Sequence, residues 1–389
     1  MKFKMLLFLA FFSLSTAIFA SFPPEEDVTK ARLTLSKYRW VQMHYFLQTG
    51  YSMDFNESET YKSFYMGHNR LIFNGQTSEK MFFLFQTDDF VKKDSIDSTN
   101  GFYTSDAFLH YKAHEAVQIY AGKMVAPVSR NALLSPATTV GISANHDALP
   151  SYNYTPEGRD TGILIRGFLL NNLIEYRSGF FQGLGNKSFQ YEDEGKEYTR
   201  NESSIPRITT RFQFNFIDTE EGYFYSENYL RKKNILALGL AFDYQPEVCD
   251  HNENGTFDDY FAVSSDISIQ TDWRSANSFG FDLAFFYSKN NPNADIRYEN
   301  LDYTDEIGFY AQAAMLAANV FQAFARFNYS SALGADDGND FTFTKLSLGG
   351  NYFIDDHHAK ATIQLDIPVG DSKSMDGEQK LSLQFQAYL

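Results

Sequence analysis

The fold is decided by residues 379–389, QKLSLQFQAYL, in which apolar and polar side chains alternate. Leu381, Leu383, Phe385, Ala387 and Leu389 form the apolar set, and Lys, Ser, Gln and Tyr stand between them. Successive side chains of a β-strand point to opposite faces, so this segment predicts a strand with one apolar and one polar face. A strand of this kind suits a lipid-facing barrel wall, although a soluble sandwich also alternates.

The same alternation recurs along the chain and separates these two possibilities by the number of strands. It is clear in residues 208–216, 236–244, 279–287 and 321–329, where Phe and Leu occupy every second position. Alternation and turn residues together predict about sixteen strands. They lie near residues 40–51, 62–74, 79–88, 102–111, 116–123, 160–168, 172–181, 206–217, 233–245, 260–271, 278–288, 306–316, 319–329, 342–353, 359–367 and 379–389.

The connections between these strands support a membrane barrel. The number of strands is even, and the longer connections fall at one end, while tight turns such as 74–78 and 171–172 fall at the other. Residues 218–232 are the exception, because that connection belongs to the short-turn end but is too long for a turn.

Aromatic residues are abundant, yet no helix could carry the chain through a membrane. The sequence holds 39 Phe and 25 Tyr, but after residue 20 no stretch approaches the roughly 20 apolar residues that a spanning helix needs. A closed barrel is the other structure that satisfies every backbone amide in lipid. The sequence therefore predicts an all-β protein, a transmembrane antiparallel β-barrel of about 16 strands.

The amino-terminal residues predict export. Lys2 and Lys4 precede an apolar run that ends near Ala17 and Ala20, the pattern of a cleaved signal peptide, and an uncleaved anchor helix is the alternative. We expect a signal peptide at 1–20, a periplasmic amino-terminal segment at 21–37 and the transmembrane barrel at 38–389.

Charge and cysteine content limit the possible partners. The net charge is −16, and removal of residues 1–20 leaves 31 basic and 49 acidic residues. Nucleic acid is excluded as a partner because it carries charge of the same sign. Cys249 is the only cysteine, so no internal disulfide forms and cohesion rests on backbone pairing and apolar burial.

The connection of residues 124–159 is long, rich in proline and less charged than the other connections at its end. A barrel of sixteen strands encloses an aqueous bore, and a loop folded inward would narrow it. We therefore expect this third extracellular loop to fold into the lumen. A mobile lid outside the barrel is the alternative.

Five segments in order resemble the phosphate-selective porin O and P family: 122–130 (GKMVAPVSR), 158–162 (GRDTG), 178–183 (SGFFQG), 232–245 and 351–360. Val128 and Asn131 depart from that pattern, where Phe and Glu are expected. The resemblance implies a trimeric outer-membrane porin of sixteen strands, a water-filled channel for passive diffusion of small hydrophilic solutes or ions. For the best-known members it implies an anion path, such as one for phosphate, built from arginines and lysines.

The basic residues of this chain do not form such a path in the sequence, since they are scattered among acids. The candidates for the pore lining and its constriction are Lys123, Arg130, Arg159, Arg207, Arg211, Arg326, Lys345 and Lys360. Lys123, Arg130 and Arg159 flank the long loop. They form either a basic spot near the constriction or ion pairs that fix the loop, and ion pairs are favoured because isolated basic groups among acids are usually paired. Acidic clusters in the other outer connections predict a weakly selective or cation-leaning pore.

One outer connection resembles half of a calcium-binding loop. Asp250, Asn252, Asn254 and Asp258 place oxygen ligands at alternate positions around Gly255. Phe261 stands where such a loop needs a bidentate Glu, so any Ca²⁺ site would be weak, and an ordinary polar turn is the favoured alternative.

Sequence motifs for catalysis are missing: there is no nucleophile elbow, zincin helix or glycine-rich phosphate loop. We therefore expect a channel rather than an enzyme. The alternatives are a hydrolase barrel, whose catalytic side chains would converge only in space, and a structural or adhesive barrel with a plugged lumen. Outer-membrane lipid and small solutes are the expected partners, in a homotrimer.

Overall fold

The computed structural model describes residues 32–55, 60–90, 101–142, 158–183, 205–249, 258–273, 276–290, 305–333, 342–369 and 379–389. Within these ranges the protein is almost entirely β-structure. The helices there are two 3-10 segments of three residues each, Asn131–Leu133 and Pro136–Thr138, and neither has the length or hydropathy to cross a membrane.

Seventeen strands are present in the described residues, and sixteen of them form the barrel. They are β1 Arg32–Ser36, β2 Arg39–Phe55, β3 Thr60–Ser78, β4 Met81–Phe90, β5 Gly101–His114, β6 Val117–Val125, β7 Arg159–Leu169, β8 Ile174–Phe181, β9 Arg207–Asn215, β10 Ile235–Cys249, β11 Asp258–Trp273, β12 Asn277–Lys289, β13 Asp305–Ala317, β14 Phe321–Leu333, β15 Thr342–Asp355, β16 Ala359–Pro368 and β17 Gln379–Tyr388.

The sheet closes on itself. Each strand from β2 to β17 pairs antiparallel with its neighbours in the chain, and β17 pairs with β2 from Gln379 opposite Phe55 to Tyr388 opposite Phe46. Closure removes the free edges that an open sheet would leave unpaired. The prediction of a closed antiparallel barrel of sixteen strands is confirmed.

The short strand β1 extends the wall where β17 ends. Tyr45 and Leu389 exchange backbone hydrogen bonds of 3.1 and 2.9 Å, and β1 then takes up the same edge of β2, with Leu33 opposite Val41. Part of the segment expected to precede the barrel therefore belongs to the sheet.

Side chains alternate between the two faces of the wall as the sequence predicts. In β10, Leu240 and Phe242 are 47% and 45% exposed, while Ala237 and Ala241 are buried. The apolar set therefore faces outward, where a bilayer would cover it, and the small or polar set faces the lumen.

At one end of the barrel most connections are short turns, and the last residue, Leu389, lies at that end; the other end carries the longer connections. We call these the inner and outer ends. The inner turn predicted at 171–172 is present and spans residues 170–173, with Leu170, Asn171 and Asn172 at positive φ. The turn expected at 74–78 is wrong, because β3 stays paired with β4 to Ser78 and the chain reverses at residues 79–80.

Gly122 marks the outer part of β6, just before the chain leaves the wall. Its φ of +137° is rarely adopted by other residues, and a Cβ there would lie 2.2 Å from the carbonyl oxygen of Ala107 on β5. Glycine is required here by both conformation and space.

Candidate functional site: the barrel lumen

Two segments enter the lumen in the part of the chain that the structure describes. The outer insert, residues 126–142, follows β6 at the outer end, and the inner insert, residues 216–234, joins β9 to β10 at the inner end. The inner insert is the connection that the sequence marks as too long for a turn.

The outer insert crosses the lumen, because wall side chains from strands far from β6 bind its backbone and side chains. These contacts are Ser264 Oγ to the Val128 carbonyl at 2.6 Å, Tyr310 hydroxyl to Asn131 Oδ1 at 2.5 Å, Gln386 Nε2 to the Ala137 carbonyl at 2.9 Å, Lys360 Nζ to the Thr139 carbonyl at 2.6 Å and Asn351 Nδ2 to the Val140 carbonyl at 2.8 Å. The donors lie on β11, β13 and β15–β17, so residues 126–142 lie inside the barrel.

The two inserts bind each other through their backbones. Tyr225 donates its N–H to the Leu133 carbonyl at 2.8 Å and accepts the N–H of Ser135 at 2.9 Å. These bonds form a parallel bridge between Leu134 and Tyr225. Tyr225 is fully buried, which raises its pKa to about 12, and its hydroxyl donates to Glu175 on the wall at 3.0 Å. The inserts therefore form one packed unit.

Buried ion pairs fix this unit. Arg130 of the outer insert donates to both carboxylate oxygens of Glu220 on the inner insert, and the Nη2–Oε1 distance is 2.7 Å. Arg326 on β14 donates to Gln312 at 2.7 Å and lies 3.7 Å from Glu227 of the inner insert. Because a buried charge without a partner is strongly unfavourable, the first pair holds the two inserts together and the second holds the inner insert against the wall.

The lumen wall carries further pairs of the same kind. Arg207 binds Asp243 through Nε and Nη2 at 2.8 and 2.5 Å, and Arg211 binds both oxygens of Asp266 at 2.6 and 2.8 Å. Arg159 Nε lies 3.1 Å from Asp106. These arginines are at most 4% exposed.

The basic candidates from the sequence thus occupy different places. Arg130, Arg159, Arg207, Arg211 and Arg326 are all buried and paired with carboxylates. Their role in lining the pore stays a prediction.

The three lysine candidates differ from one another. Lys123 is half-buried on β6, and its Nζ donates to the Thr104 carbonyl at 2.7 Å. Lys345 is half-buried near the Phe343 ring, and Lys360 is buried beneath the outer insert.

Three buried arginines were not among the candidates. Arg166 and Arg177 both donate to Glu175 Oε1, at 2.8 and 2.7 Å, and Arg70 donates to Asp88 at 2.5 Å. The spacing of Glu175 and Arg177, two apart on one strand, is a signal that could have identified this face as charged.

Small inward residues provide room for side chains rather than for water alone. At Gly239 on β10, a Cβ would lie 2.1 Å from Arg211 Nη2 and 2.3 Å from Asp266 Oδ1. The glycine lets this ion pair lie flat against the wall.

The calcium pattern falls mostly outside the described residues. These exclude 250–257, and Asp258 begins β11. Among the residues that are described, no group of three or more His, Cys, Asp or Glu could hold a metal ion. The weak Ca²⁺ site stays a prediction, which calorimetry with calcium on the purified protein would test.

Comparison with known proteins identifies the fold. No family model matches the chain, and no curated protein matches its sequence. Among solved structures it is similar to OmpF of Salmonella typhi in complex with daunomycin, with a TM-score of 0.62, 9% identity and coverage of 90% of this chain and 98% of that one. The outer membrane channel DcaP of Acinetobacter baumannii gives 0.57 at 10% identity, covering 91% and 99%. OmpT of Vibrio cholerae gives 0.55 at 10%, covering 92% and 100%. At these identities the likeness shows the barrel fold.

Proposed function

We propose that this chain is an outer-membrane channel, a porin, through which small hydrophilic solutes and ions diffuse passively. The observation that carries the proposal is the closed sixteen-stranded wall with an apolar outer and a polar inner face. Only helices and closed barrels satisfy their backbone in lipid, and a barrel of this size encloses a bore. The shared fold with the outer membrane channel DcaP supports the same function.

The inserts determine how wide the path is. Their hydrogen bonds reach β6–β9, β11, β13 and β15–β17, one reaches β2, and an ion pair reaches β14. A cavity lies between the inserts and β2–β4. We therefore place the path along β2–β4 and expect a conductance well below that of an unobstructed barrel of sixteen strands.

Selectivity follows from the pairing of charges. Anion capture needs basic groups with donors directed at the solute, but the buried arginines already donate to carboxylates. Acidic clusters in the outer connections, such as 192–197 and 299–306, would concentrate cations at the mouth. We propose a weakly selective or cation-leaning pore. Reversal potentials across a planar bilayer under a salt gradient test this, and a strong preference for chloride or phosphate would favour the anion path of the resembling family instead.

The proposal includes location and assembly. A signal peptide at 1–20 would direct the chain to the outer membrane, and a homotrimer is the expected assembly. One Vibrio cholerae OmpT structure is described as a trimer form, which supports that expectation. Analytical ultracentrifugation of detergent-purified protein would test it, with a monomer mass as the contrary result.

A structural barrel without conductance is the second candidate. The two inserts favour it, because they occupy part of the lumen and are joined there by a buried ion pair in which Arg130 is only 1% exposed. Purified protein in a planar bilayer distinguishes the two: stepwise currents support the channel, and a folded but silent protein supports the structural role.

A further inference from the structure

A cavity of about 440 Å³ lies at the inner end of the lumen, between β2–β4 and the two inserts. Tyr388 and the turn 356–358 close its side. Its volume falls in the range of about 300–1,000 Å³ that is usual for small-molecule sites. A solute that diffuses through the proposed channel would meet this cavity, so the inference below rests on that function.

Apolar side chains take inward positions around the cavity. Phe46, Ile72 and Leu84, on three successive strands, all line it. Inward positions of a water-filled barrel are usually polar, as they are at Gln48 and Gln86 on the same strands. Water wets an apolar wall poorly, so this wall favours a solute with apolar surface.

Rings form the side wall. Tyr388 stacks between His44, at 5.6 Å between ring centroids and 9° between planes, and His358, at 5.8 Å and 21°. Phe224 of the inner insert lines the cavity and contacts Tyr223 edge-on at 4.6 Å. Flat, rigid rings of this kind favour planar aromatic partners.

A buried acceptor lies in the same wall. His357 Nε2 lies 2.8 Å from the Asn228 carbonyl, so Nε2 carries the proton and Nδ1 is an acceptor. Nδ1 is buried with no hydrogen-bond partner in the described part of the chain. Burial lowers the pKa of His357 to about 3, which keeps the ring neutral. A hydroxyl group of a solute would supply the missing donor.

Charged groups at the cavity already have partners. Lys232 Nζ donates to Asp356 at 2.8 Å, and Arg70 donates to Asp88 at 2.5 Å. A charged solute would have to compete with these pairs, so the site favours an uncharged one.

We propose that this cavity binds a small, uncharged aromatic solute that bears a hydroxyl group, of the phenol class. The apolar wall and the ring stack hold the ring of the solute, and Nδ1 of His357 accepts a hydrogen bond from its hydroxyl group. The channel would then slow or concentrate such solutes at its inner end.

Calorimetry on the detergent-purified full chain tests the site with phenol, anisole, cyclohexanol and glucose as probes. We expect phenol to bind in the millimolar range or tighter, and anisole to bind about tenfold more weakly, because one hydrogen bond is lost. Cyclohexanol should bind more weakly than phenol, and glucose should give no heat. Phe224→Ala and Ile72→Ser should lower phenol affinity. Phe64→Ala is the matched control, since Phe64 is 86% exposed on the outward face of β3 and should leave affinity unchanged.

The site would be overturned by an absence of phenol binding, or by phenol binding that Phe224→Ala and Ile72→Ser leave intact. Binding of glucose in preference to phenol would also overturn it. Single-channel recording separates this inference from the proposed function. Phenol binding by a protein that never conducts would contradict the channel and support the site. Conductance without phenol binding would support the channel and contradict the site.

Discussion

The ion pair between the inserts offers the sharpest perturbation. Arg130→Met removes the two hydrogen bonds to Glu220 and leaves that carboxylate buried with Gln213 Nε2 at 2.9 Å and the Tyr229 hydroxyl at 2.8 Å. Breaking one partner of a buried pair costs about 3–5 kcal/mol, and we take the lower bound, about 3 kcal/mol, because Glu220 keeps two donors. Since about 1.4 kcal/mol is a factor of ten, the ratio of docked to undocked inner insert should fall about a hundredfold.

Trypsin measures this ratio. The inner insert contains Arg231, Lys232 and Lys233. The Lys232 side chain is 68% exposed, but the residues before it, Asn228 and Leu230, are buried, so the segment must leave the lumen before a protease can bind it in extended form. Where opening is fast relative to cleavage, the rate follows the open population, so Arg130→Met should be cut about a hundredfold faster than the wild type. Replacing both residues, in Arg130→Met with Glu220→Met, removes both charges of the pair and should restore most of the resistance.

A cleavage rate for Arg130→Met equal to that of the wild type would show that this pair does not hold the inserts together. So would a double variant that is cut faster than the single one.

Three further predictions concern the wall and the inner turn. Leu240→Arg places a charge on the lipid face and should lower the free energy of unfolding in vesicles by about 2–4 kcal/mol, measured by urea titration; an unchanged midpoint would contradict a lipid-facing position. Gly122→Ala should sharply reduce the yield of folded barrel, measured as the fraction that migrates differently on a gel before and after heating. Gly280→Ala is the control and should fold normally, because no atom lies closer than 3.9 Å to the added Cβ. Equal yields for the two variants would count against the close approach of β5 and β6. Acid should loosen the inner insert: the pKa of His357 is about 3 when docked and about 6.5 when exposed, so the undocked state binds the extra proton, and docking weakens as pH falls below about 6.5. Relative to the cleavage of a free peptide at the same pH, trypsin cleavage of the insert should therefore rise roughly 25-fold between pH 7 and pH 5, and His357→Asn should flatten that rise.

The wall of the barrel could be read from the sequence because its signal is local. Two-residue alternation fixes which side chains face lipid, and the predicted strand 379–389 differs from β17 by one residue. Where the prediction fails, as for the turn at 74–78, the chain continues in a strand because cross-strand pairing outweighs local turn preference. The short β1 has too few residues for a clear period and is stabilised only by its pairing with β2.

The filling of the lumen could be predicted only in part. Proline content and low charge indicate that residues 124–159 have something to pack against, but nothing local indicates the partner. Arg130 and Glu220 are 90 positions apart, and the meeting of Leu133 with Tyr225 spans a similar distance. Such contacts depend on the closed barrel, which brings distant connections into one enclosed space. The sequence therefore marks the basic residues but cannot show which carboxylate each one binds.

Single-channel recording of the purified protein in a planar bilayer tests the central claim most directly. We predict small, discrete current steps for the wild type. The steps should be larger when residues 219–231 of the inner insert are replaced by a short turn, because the wall would then enclose more water. Folded wild type and folded variant that both pass no current would contradict the claim.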